Sequence, residues 1–196
     1  MPRDTWILNP EFQVRASELG FTHYQKVENL NGVVVSGHVR RNVSRVTHQG
    51  EIFYIKREHE IRFRDRFRAW KEGFGWASLA EREVAILERL GDLAPTWLAW
   101  GENGKQSWLI LEEVGEYRDF ATFLNQERDL SLRRKIWTTL AENLHEIQSR
   151  GVYQADLFTK HIFVLQDGRL KFLDWQRGII TGRITDQQRV ATLARF

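Results

Sequence analysis

The chain has 196 residues, enough for one domain or two small lobes, and its 42% hydrophobic and 28% charged residues predict a globular, soluble protein. No apolar run reaches the roughly 18 residues that span a membrane, and the first residues lack the apolar core of a signal peptide. The absence of cysteine excludes disulfides and thiolate metal sites and fits a cytoplasmic protein, and the net charge of +3 indicates an anionic partner only if it is clustered.

The first part of the chain predicts an antiparallel sheet. Five apolar residues near the start are expected to pack on it: Trp6, Ile7, Phe12, Val14 and Leu19. Runs rich in β-branched residues then predict strands at Gly32–Ser36, Asn42–Thr47 and Ile52–Lys56. The loop Ser36–Asn42 contains a single glycine, Gly37, with Arg40 and Arg41 behind it. These arginines are interpreted either as anion ligands or as an exposed basic hairpin tip.

Lys56 lies at the end of the third predicted strand, and both faces of that strand carry apolar side chains. A lysine there either faces solvent or needs a charged partner, because burying an unpaired charge is costly. The segment Ser78–Leu90 predicts a helix, since apolar residues recur at helical spacing and Gly91 follows. This helix offers two candidate partners for the lysine, Glu81 and Glu83.

The segment Arg57–Lys71 carries six Arg or Lys residues and predicts a basic amphipathic helix. Four aromatic residues at spacings of four, three and four share one face of this helix: Phe63, Phe67, Trp70 and Phe74. One interpretation is a helix that binds an anionic membrane surface. A second is a solvated helix whose aromatic side chains pack on the sheet. Nucleic acid is a third possibility, but no other part of the chain supports it.

The second part of the chain predicts two strands, two helices and a hairpin. Strands are predicted at Pro95–Gly101 and Ser107–Leu111, a short helix at Asp119–Leu124, a long helix at Leu132–Arg150, and a hairpin from Ile162–Leu165 and Leu170–Leu173. Leu140, Leu144 and Ile147 share one face of the long helix, and Gly151 ends it. A further helix is predicted to begin at Asp186.

Three polar residues frame this hairpin. Asp156 follows the long helix, His161 comes five residues later, and Asp174 ends the second hairpin strand. Taken singly, Asp156 could be a loop or capping residue and His161 a hydrogen-bonded core histidine. Together, with these flanking elements, they match the layout of phosphoryl-transfer sites in protein kinases.

The order of these motifs along the chain resembles that of the protein kinases. The motif around Asp156 resembles a narrower family. The Asp156-x-x-x-x-His161 spacing, followed by Lys-Phe-Leu-Asp174-Trp-Gln-Arg, resembles the bacterial lipopolysaccharide kinase family, which includes kinases of inner-core heptose and of Kdo. The basic aromatic segment before Glu83 is also similar to that family. The resemblance implies an α+β, protein-kinase-like fold with an antiparallel-sheet N-lobe at 1–113 and a helical C-lobe at 114–196. That C-lobe is short, since only 22 residues follow Asp174.

The resemblance also implies ATP and Mg²⁺ as cofactors and a role for each candidate residue. Glu83 is the favoured partner of Lys56, because it precedes Val-Ala-Ile-Leu as the corresponding kinase glutamate does. By position, the nucleotide would be bound by Lys56, Glu83, Gly37, Arg40 and the hinge residues Glu112 and Val114. Asp156 would be the catalytic base, and His161 and Asp174 would be metal ligands, although Mg²⁺ prefers oxygen ligands to a histidine nitrogen.

The implied activity is phosphorylation of a sugar hydroxyl, most simply on the lipopolysaccharide inner core, at the cytoplasmic face of the inner membrane with peripheral membrane contact. Two other interpretations stay open. A pseudokinase or stress-induced binding protein is favoured by the single glycine, by Gln154-Ala155 in place of the kinase His-Arg, and by the short C-lobe. A small-molecule kinase of the aminoglycoside or choline type shares Asp156 and Asp174 but lacks the basic aromatic segment. No nucleic-acid partner is expected.

Overall fold

The structure is a computed structural model that describes residues 3–193; Met1 and Pro2, part of the stretch compared above with a signal peptide, lie outside the described residues. The chain divides into two compact units. The first contains the chain up to Ala85 together with Thr96–Glu113, and the second contains Ile86–Pro95 and the chain from Val114 onwards. The lobes expected at 1–113 and 114–196 stay a prediction.

The first unit is built on a six-stranded antiparallel sheet with the strand order β1-β5-β6-β4-β3-β2. Its strands are β1 (Arg3–Leu8), β2 (Val33–His38), β3 (Arg41–His48), β4 (Glu51–Glu58), β5 (Trp97–Gly104) and β6 (Gln106–Glu112). Five of these strands were predicted, with shifted ends. The sixth, β1, pairs with β5 and was not predicted from the sequence.

The core of the first unit lies between the sheet and two short helices, α1 (Gln13–Glu18) and α2 (Tyr24–Glu28). Its buried side chains include Leu19, Phe21, Val27, Phe53, Ile55, Leu98, Trp108 and Ile110. Trp6 and Phe12 pack against this core as expected. The expectation was wrong for Ile7 and Val14, which are exposed. Val14 lies on the outer side of α1, whose buried residue is Ala16.

Two further helices follow β4 along the chain. Helix α3 (Phe63–Lys71) is shorter than the predicted basic helix, because Arg57 and Glu58 belong to β4. Helix α4 (Leu79–Leu90) is the predicted helix, and it buries Val84, Leu87 and Leu90 at the expected spacing. Gly91 follows it with φ +53°, a left-handed conformation that suits the end of a helix.

The second unit is mainly helical. Its helices are α5 (Phe120–Gln126), α6 (Leu130–Ser149) and α7 (Asp186–Leu193), and its strands are β7 (Tyr117–Asp119), β8 (Val152–Tyr153), β9 (Ile162–Leu165), β10 (Leu170–Phe172) and β11 (Ile179–Ile180). The predicted hairpin is β9–β10, which β7 extends to three strands. Helix α6 buries the predicted Leu140, Leu144 and Ile147. Asp119 and Asp129 cap α5 and α6 with their side chains.

The turn after α6 positions the loop that contains Asp156. Gly151 has φ +73°, and a Cβ there would lie 2.4 Å from the Thr181 carbonyl oxygen. Only glycine allows this approach, which lets β8 pair with β11. The fold is thus a mixture of helices with antiparallel sheets, as the α+β prediction requires. Within residues 3–193, no helix combines the length and the apolar character needed to cross a bilayer.

Candidate active site

Lys56 and Glu83 form a direct ion pair in the first unit. The Lys56 Nζ atom lies 2.6 Å from Glu83 Oε1, and these side chains are 14% and 2% exposed. Lys56 comes from β4 and Glu83 from the first half of α4. The pair therefore satisfies a lysine that the strand would otherwise bury without a counter-charge. The structure brings this predicted pair together, and its contact with ATP stays a prediction.

Glu81, the other candidate partner, points elsewhere. Its carboxylate lies 3.0 Å from the guanidinium of Arg3, which belongs to β1. Burial raises the pKa of Glu81, and the nearby Arg3 opposes that shift. Residues two positions apart on a helix do not share a face, so only one of the two glutamates can meet Lys56.

The loop expected to cover phosphates is shorter than predicted. Strands β2 and β3 continue into it and leave a tight turn at Val39 and Arg40. Gly37 has φ +135°, and a Cβ there would lie 2.3 Å from the Arg41 carbonyl oxygen, so the close approach of β3 explains this glycine. Arg40 lies 3.6 Å from Glu60, and Arg41 pairs with Glu58 and Asp65.

The two predicted hinge residues are Glu112, which ends β6, and Val114, which follows two positions later. The Glu112 backbone N–H donates to the Thr96 carbonyl, and its carboxylate pairs with Arg15. The Glu112 side chain is thereby bound to helix α1, which leaves backbone groups further along the chain as the groups that could bind an adenine. Val114 is partly buried at the start of the second unit. The adenine-binding roles of Glu112 and Val114 stay predictions.

Asp156 lies in the turn between β8 and β9, in the second unit, and its carboxylate is bound by an arginine. The Arg177 guanidinium donates to Asp156 Oδ2 at 2.7 Å. Arg177 follows Asp174 by three residues in a short 3₁₀ turn, so the loop that carries one candidate aspartate also orients the other. Sequence reasoning assigned no role to Arg177. The sequence nevertheless contained a signal, because Arg177 is the last residue of the Lys-Phe-Leu-Asp-Trp-Gln-Arg motif on which the family resemblance rests.

His161 and Asp174 are also brought together. The His161 Nε2 atom lies 3.6 Å from Asp174 Oδ2, and the backbone N–H of Leu173 donates to the His161 carbonyl at 2.8 Å. Asp174 has the left-handed backbone angles φ 61° and ψ 58°. Such angles are uncommon for residues other than glycine and often occur at functional sites. The Asp174 side chain is 48% exposed, so it is accessible to a ligand.

The donor set fits a magnesium ion that takes part of its coordination from phosphate and water. Among residues 3–193, no group of three or more His, Asp or Glu side chains is arranged to hold a metal. Mg²⁺ bound with nucleotide commonly uses only one or two protein carboxylates and keeps several water ligands. Asp174 would supply the oxygen ligand that Mg²⁺ prefers, with the His161 imidazole 3.6 Å from its carboxylate.

Gln154, which stands where the kinases have a histidine, connects two of the loops in this group. Its Nε2 donates to the Asp174 carbonyl oxygen at 2.9 Å, and the residue is only 3% exposed. This hydrogen bond joins the Asp156 loop to the Asp174 loop. Departure from His-Arg at residues 154 and 155 therefore does not by itself leave Asp174 unsupported. The sequence signal was a polar residue beside an apolar strand, where a buried partner is required.

A lysine paired with a helix glutamate, a loop aspartate and an exposed aspartate after a hairpin occur in the same order along the chain as in phosphoryl-transfer enzymes of the kinase type. Comparison with protein families gives the family itself. The model of the lipopolysaccharide kinase (Kdo/WaaP) family matches residues 26–196, and the chain therefore belongs to this family. Its members are kinases that act on sugar hydroxyls of lipopolysaccharide, which confirms the predicted class of enzyme.

The solved structures give the same fold. A structure described as WaaP in complex with acyl carrier protein aligns with a TM-score of 0.70 and 20% sequence identity, over 98% of this chain and 79% of that chain. At this identity the likeness establishes the fold alone. A search of the curated proteins finds no match. Membership of a kinase family implies ATP as the phosphoryl donor.

Proposed function

We propose that this protein transfers the γ-phosphate of ATP to a sugar hydroxyl of the lipopolysaccharide inner core, with Mg²⁺ as the metal cofactor. The observation that carries the proposal is the convergence of Asp156, His161 and Asp174, which Gln154 and Arg177 hold in one group of loops. Family membership supports a sugar of the lipopolysaccharide core as the acceptor. We place the reaction at the cytoplasmic face of the inner membrane, where ATP is available.

We assign phosphate binding to Lys56. Its ammonium group is a donor for phosphate oxygens, and Glu83 fixes its position at 2.6 Å. A fixed cation stabilises negative charge on the transferring phosphoryl group without reorganisation during the reaction. Arg40 is a second candidate, since its long side chain stands at the β2–β3 turn and its contact with Glu60 is a loose one.

We assign the acceptor hydroxyl to Asp156. Arg177 occupies Oδ2 of this carboxylate, so Oδ1 is the oxygen that would accept the hydroxyl proton. Asp174, with His161 beside it, would hold the magnesium ion. When bound, that ion neutralises charge on the phosphate oxygens. Because little covalent chemistry is required of the protein in phosphoryl transfer, these residues act mainly by positioning and by charge.

A binding protein without turnover is the second candidate function. The single glycine of the β2–β3 hairpin favours it, because Gly37 is explained by strand packing. The Gln154–Asp174 hydrogen bond argues against it, because Gln154 still joins the Asp156 loop to the Asp174 loop in the absence of the kinase His-Arg. Small-molecule kinases of the aminoglycoside or choline type are less well supported, because the family match is to lipopolysaccharide kinases.

The experiment that tests the proposal has two stages. Thermal unfolding with and without Mg-ATP measures nucleotide binding, and transfer of radiolabel from γ-labelled ATP to extracted lipopolysaccharide measures activity. The proposal predicts stabilisation by Mg-ATP and labelling of the lipopolysaccharide. Stabilisation without labelling of any core acceptor would favour the binding protein. Labelling of an aminoglycoside or choline in place of lipopolysaccharide would favour the small-molecule kinase.

A further inference from the structure

Helix α3 presents a continuous aromatic patch to solvent. Phe63 is 73% and Trp70 57% exposed, and Phe67 and Trp76 are also exposed. Their rings touch in series: Phe63 and Phe67 are 6.3 Å apart, Phe67 and Trp70 5.7 Å, and Phe63 and Trp76 5.1 Å between centroids. Scattered apolar residues are normal on a surface, but a contiguous group marks an interaction site. The interpretation that these aromatic side chains pack on the sheet is therefore wrong for this group.

Phe74, the fourth predicted member of the aromatic face, behaves differently. It is partly buried, and its ring lies 4.9 Å from the guanidinium carbon of Arg82. Arg82 in turn pairs with Glu72. Phe74 therefore packs against the protein and helps to hold this segment in place, and it is not part of the exposed aromatic patch.

Cations surround the aromatic patch. Arg64, Arg68 and Lys71 are exposed on the same short helix, and Lys71 Nζ lies 4.9 Å from the centre of the Phe67 ring. The nearby acidic groups are already neutralised: Asp65 pairs with Arg41 at 3.2 Å, and Glu72 pairs with Arg68 at 2.9 Å and with Arg82. The outward face of α3 is thus apolar in its centre and positive at its rim.

The opposite face of α3 is fixed to the first unit by a buried ion pair. Arg66 donates to Glu102 at 2.7 Å and to the Trp76 carbonyl at 2.8 Å. Glu102 is fully buried in β5. A buried pair of this kind is costly to break, because either partner alone would be a buried, unpaired charge. The aromatic patch is therefore held in place, and a partner does not have to order it on binding.

We propose that α3 binds an anionic phospholipid surface, lying in the plane of the interface with Phe63, Phe67 and Trp70 at the boundary between head groups and acyl chains. Aromatic side chains are favoured at that depth, and the flanking cations meet the lipid phosphates. The charge of the rim is complementary to such a surface. The inference deepens the proposed function and rests on it in one respect: a lipid-linked acceptor requires the enzyme to work at a membrane.

The test measures co-sedimentation of the full chain with vesicles of phosphatidylcholine alone and of phosphatidylcholine mixed with phosphatidylglycerol, without ATP or lipopolysaccharide. Each cation near such a surface changes the partition coefficient about fivefold, so Arg64→Ser/Arg68→Ser/Lys71→Ser should lower binding to the mixed vesicles by more than tenfold. Phe63→Ser/Trp70→Ser should also lower it by tenfold or more. Arg134→Ser and Leu130→Ser, exposed sites on α6, are the matched controls and should bind as the wild type does.

Arg66 is excluded from these variants, because it is buried and its loss would disturb folding. Thermal unfolding in the presence of Mg-ATP confirms that each variant is folded, and it separates this test from the proposed kinase activity. Equal binding to both kinds of vesicle, or equal binding by wild type and variants, would overturn the proposal. The proposal would also be overturned if no vesicle binding were seen and the same substitutions abolished tight binding to acyl carrier protein, which the similar WaaP structure contains.

Discussion

The Gln154 side chain donates a hydrogen bond to the Asp174 carbonyl at 2.9 Å, in the second unit of the fold. Gln154 is buried, and Asp174 has a left-handed backbone conformation that costs about 1–3 kcal/mol and persists only where the surroundings enforce it. The hydrogen bond is one of the contacts that enforce it. The orientation of the Asp174 carboxylate thus depends on a residue that has no direct role in the reaction.

The first prediction concerns this positioning residue. Gln154→Ala removes the donor, so the Asp174 carbonyl loses its partner and the loop loosens. Stability should fall by about 1–3 kcal/mol. The magnesium concentration for half-maximal transfer should rise, and turnover should fall about tenfold. Gln154→His, which keeps a side-chain donor, should recover much of both. A residue that is only structural would lose stability in the alanine variant without any change in the magnesium dependence.

The second prediction separates Glu83 from Glu81. Glu83→Ala leaves the Lys56 ammonium without its close partner in a site that is 14% exposed, so the unfolding free energy should fall by about 3 kcal/mol. Glu81→Ala breaks only a more exposed pair with Arg3 and should cost about 1 kcal/mol or less. Urea unfolding of both variants gives the comparison. Equal losses of unfolding free energy in the two variants would show that the Lys56–Glu83 pair stabilises the fold no more than the more exposed Arg3–Glu81 pair does.

The third prediction concerns the contribution of Lys56 to nucleotide affinity. Lys56→Ala should weaken binding of Mg-ATP at least tenfold, since a charge-assisted phosphate contact is lost. The matched control is Lys160→Ala, a lysine of the second unit near the Phe158 ring that has no assigned role. Calorimetric titration with Mg-ATP measures both. If the two variants bind with wild-type affinity, Lys56 is a structural ion-pair residue.

The fourth prediction concerns the pH dependence of stability. Burial raises the pKa of Glu58 above its ordinary value of 4.5, and Arg41 and the Ser107 hydroxyl oppose that shift. The folded protein then binds this proton more readily than the unfolded chain does. Consequently Glu58 contributes a loss of stability as pH rises from about 4.5 through the folded pKa.

Glu58→Gln removes this titration and keeps a group that can accept from Ser107, 3.1 Å away. The difference in unfolding free energy between wild type and Glu58→Gln should change in favour of the variant as the pH is raised from 4.5 to 7.5. Urea titrations at several pH values measure it. A difference that is constant with pH would show that Glu58 has the same pKa in both states.

An element of the fold could be predicted from the sequence where its signal lies in neighbouring residues, and not where it depends on a distant pairing. The hairpin β9–β10 and the helices α4 and α6 follow from periodicity and turn residues, which act over a few neighbours. Strand β1 was missed because its pairing partners in β5 lie 91 to 101 residues further along the chain, and no short-range pattern records such a pairing. The length of the β2–β3 turn was overestimated for a related reason, since β3 continues to Arg41 through pairing with β4.

For the site, the sequence supplied the residues with assigned roles but not those that hold them. Glu83 was preferred to Glu81 as the partner of Lys56 from the resemblance to kinases, and the structure pairs these two side chains. Arg177 and Gln154 were missed, since each contacts a residue about twenty positions away through a loop conformation. The exposure of Phe63 and Trp70 could not be decided either, because an amphipathic pattern identifies an apolar face but not what covers it.

The most direct test of the central claim compares Asp156→Asn, Asp174→Asn and His161→Ala by Mg-ATP titration and by single-turnover transfer to lipopolysaccharide. We predict that Asp156→Asn keeps Mg-ATP affinity nearly intact and lowers the transfer rate by about 10²-fold or more, because it can no longer accept the proton. Asp174→Asn should lose affinity and rate together, and His161→Ala should follow it if the imidazole is a metal ligand. Loss of nucleotide binding in Asp156→Asn as complete as in Asp174→Asn would contradict the account.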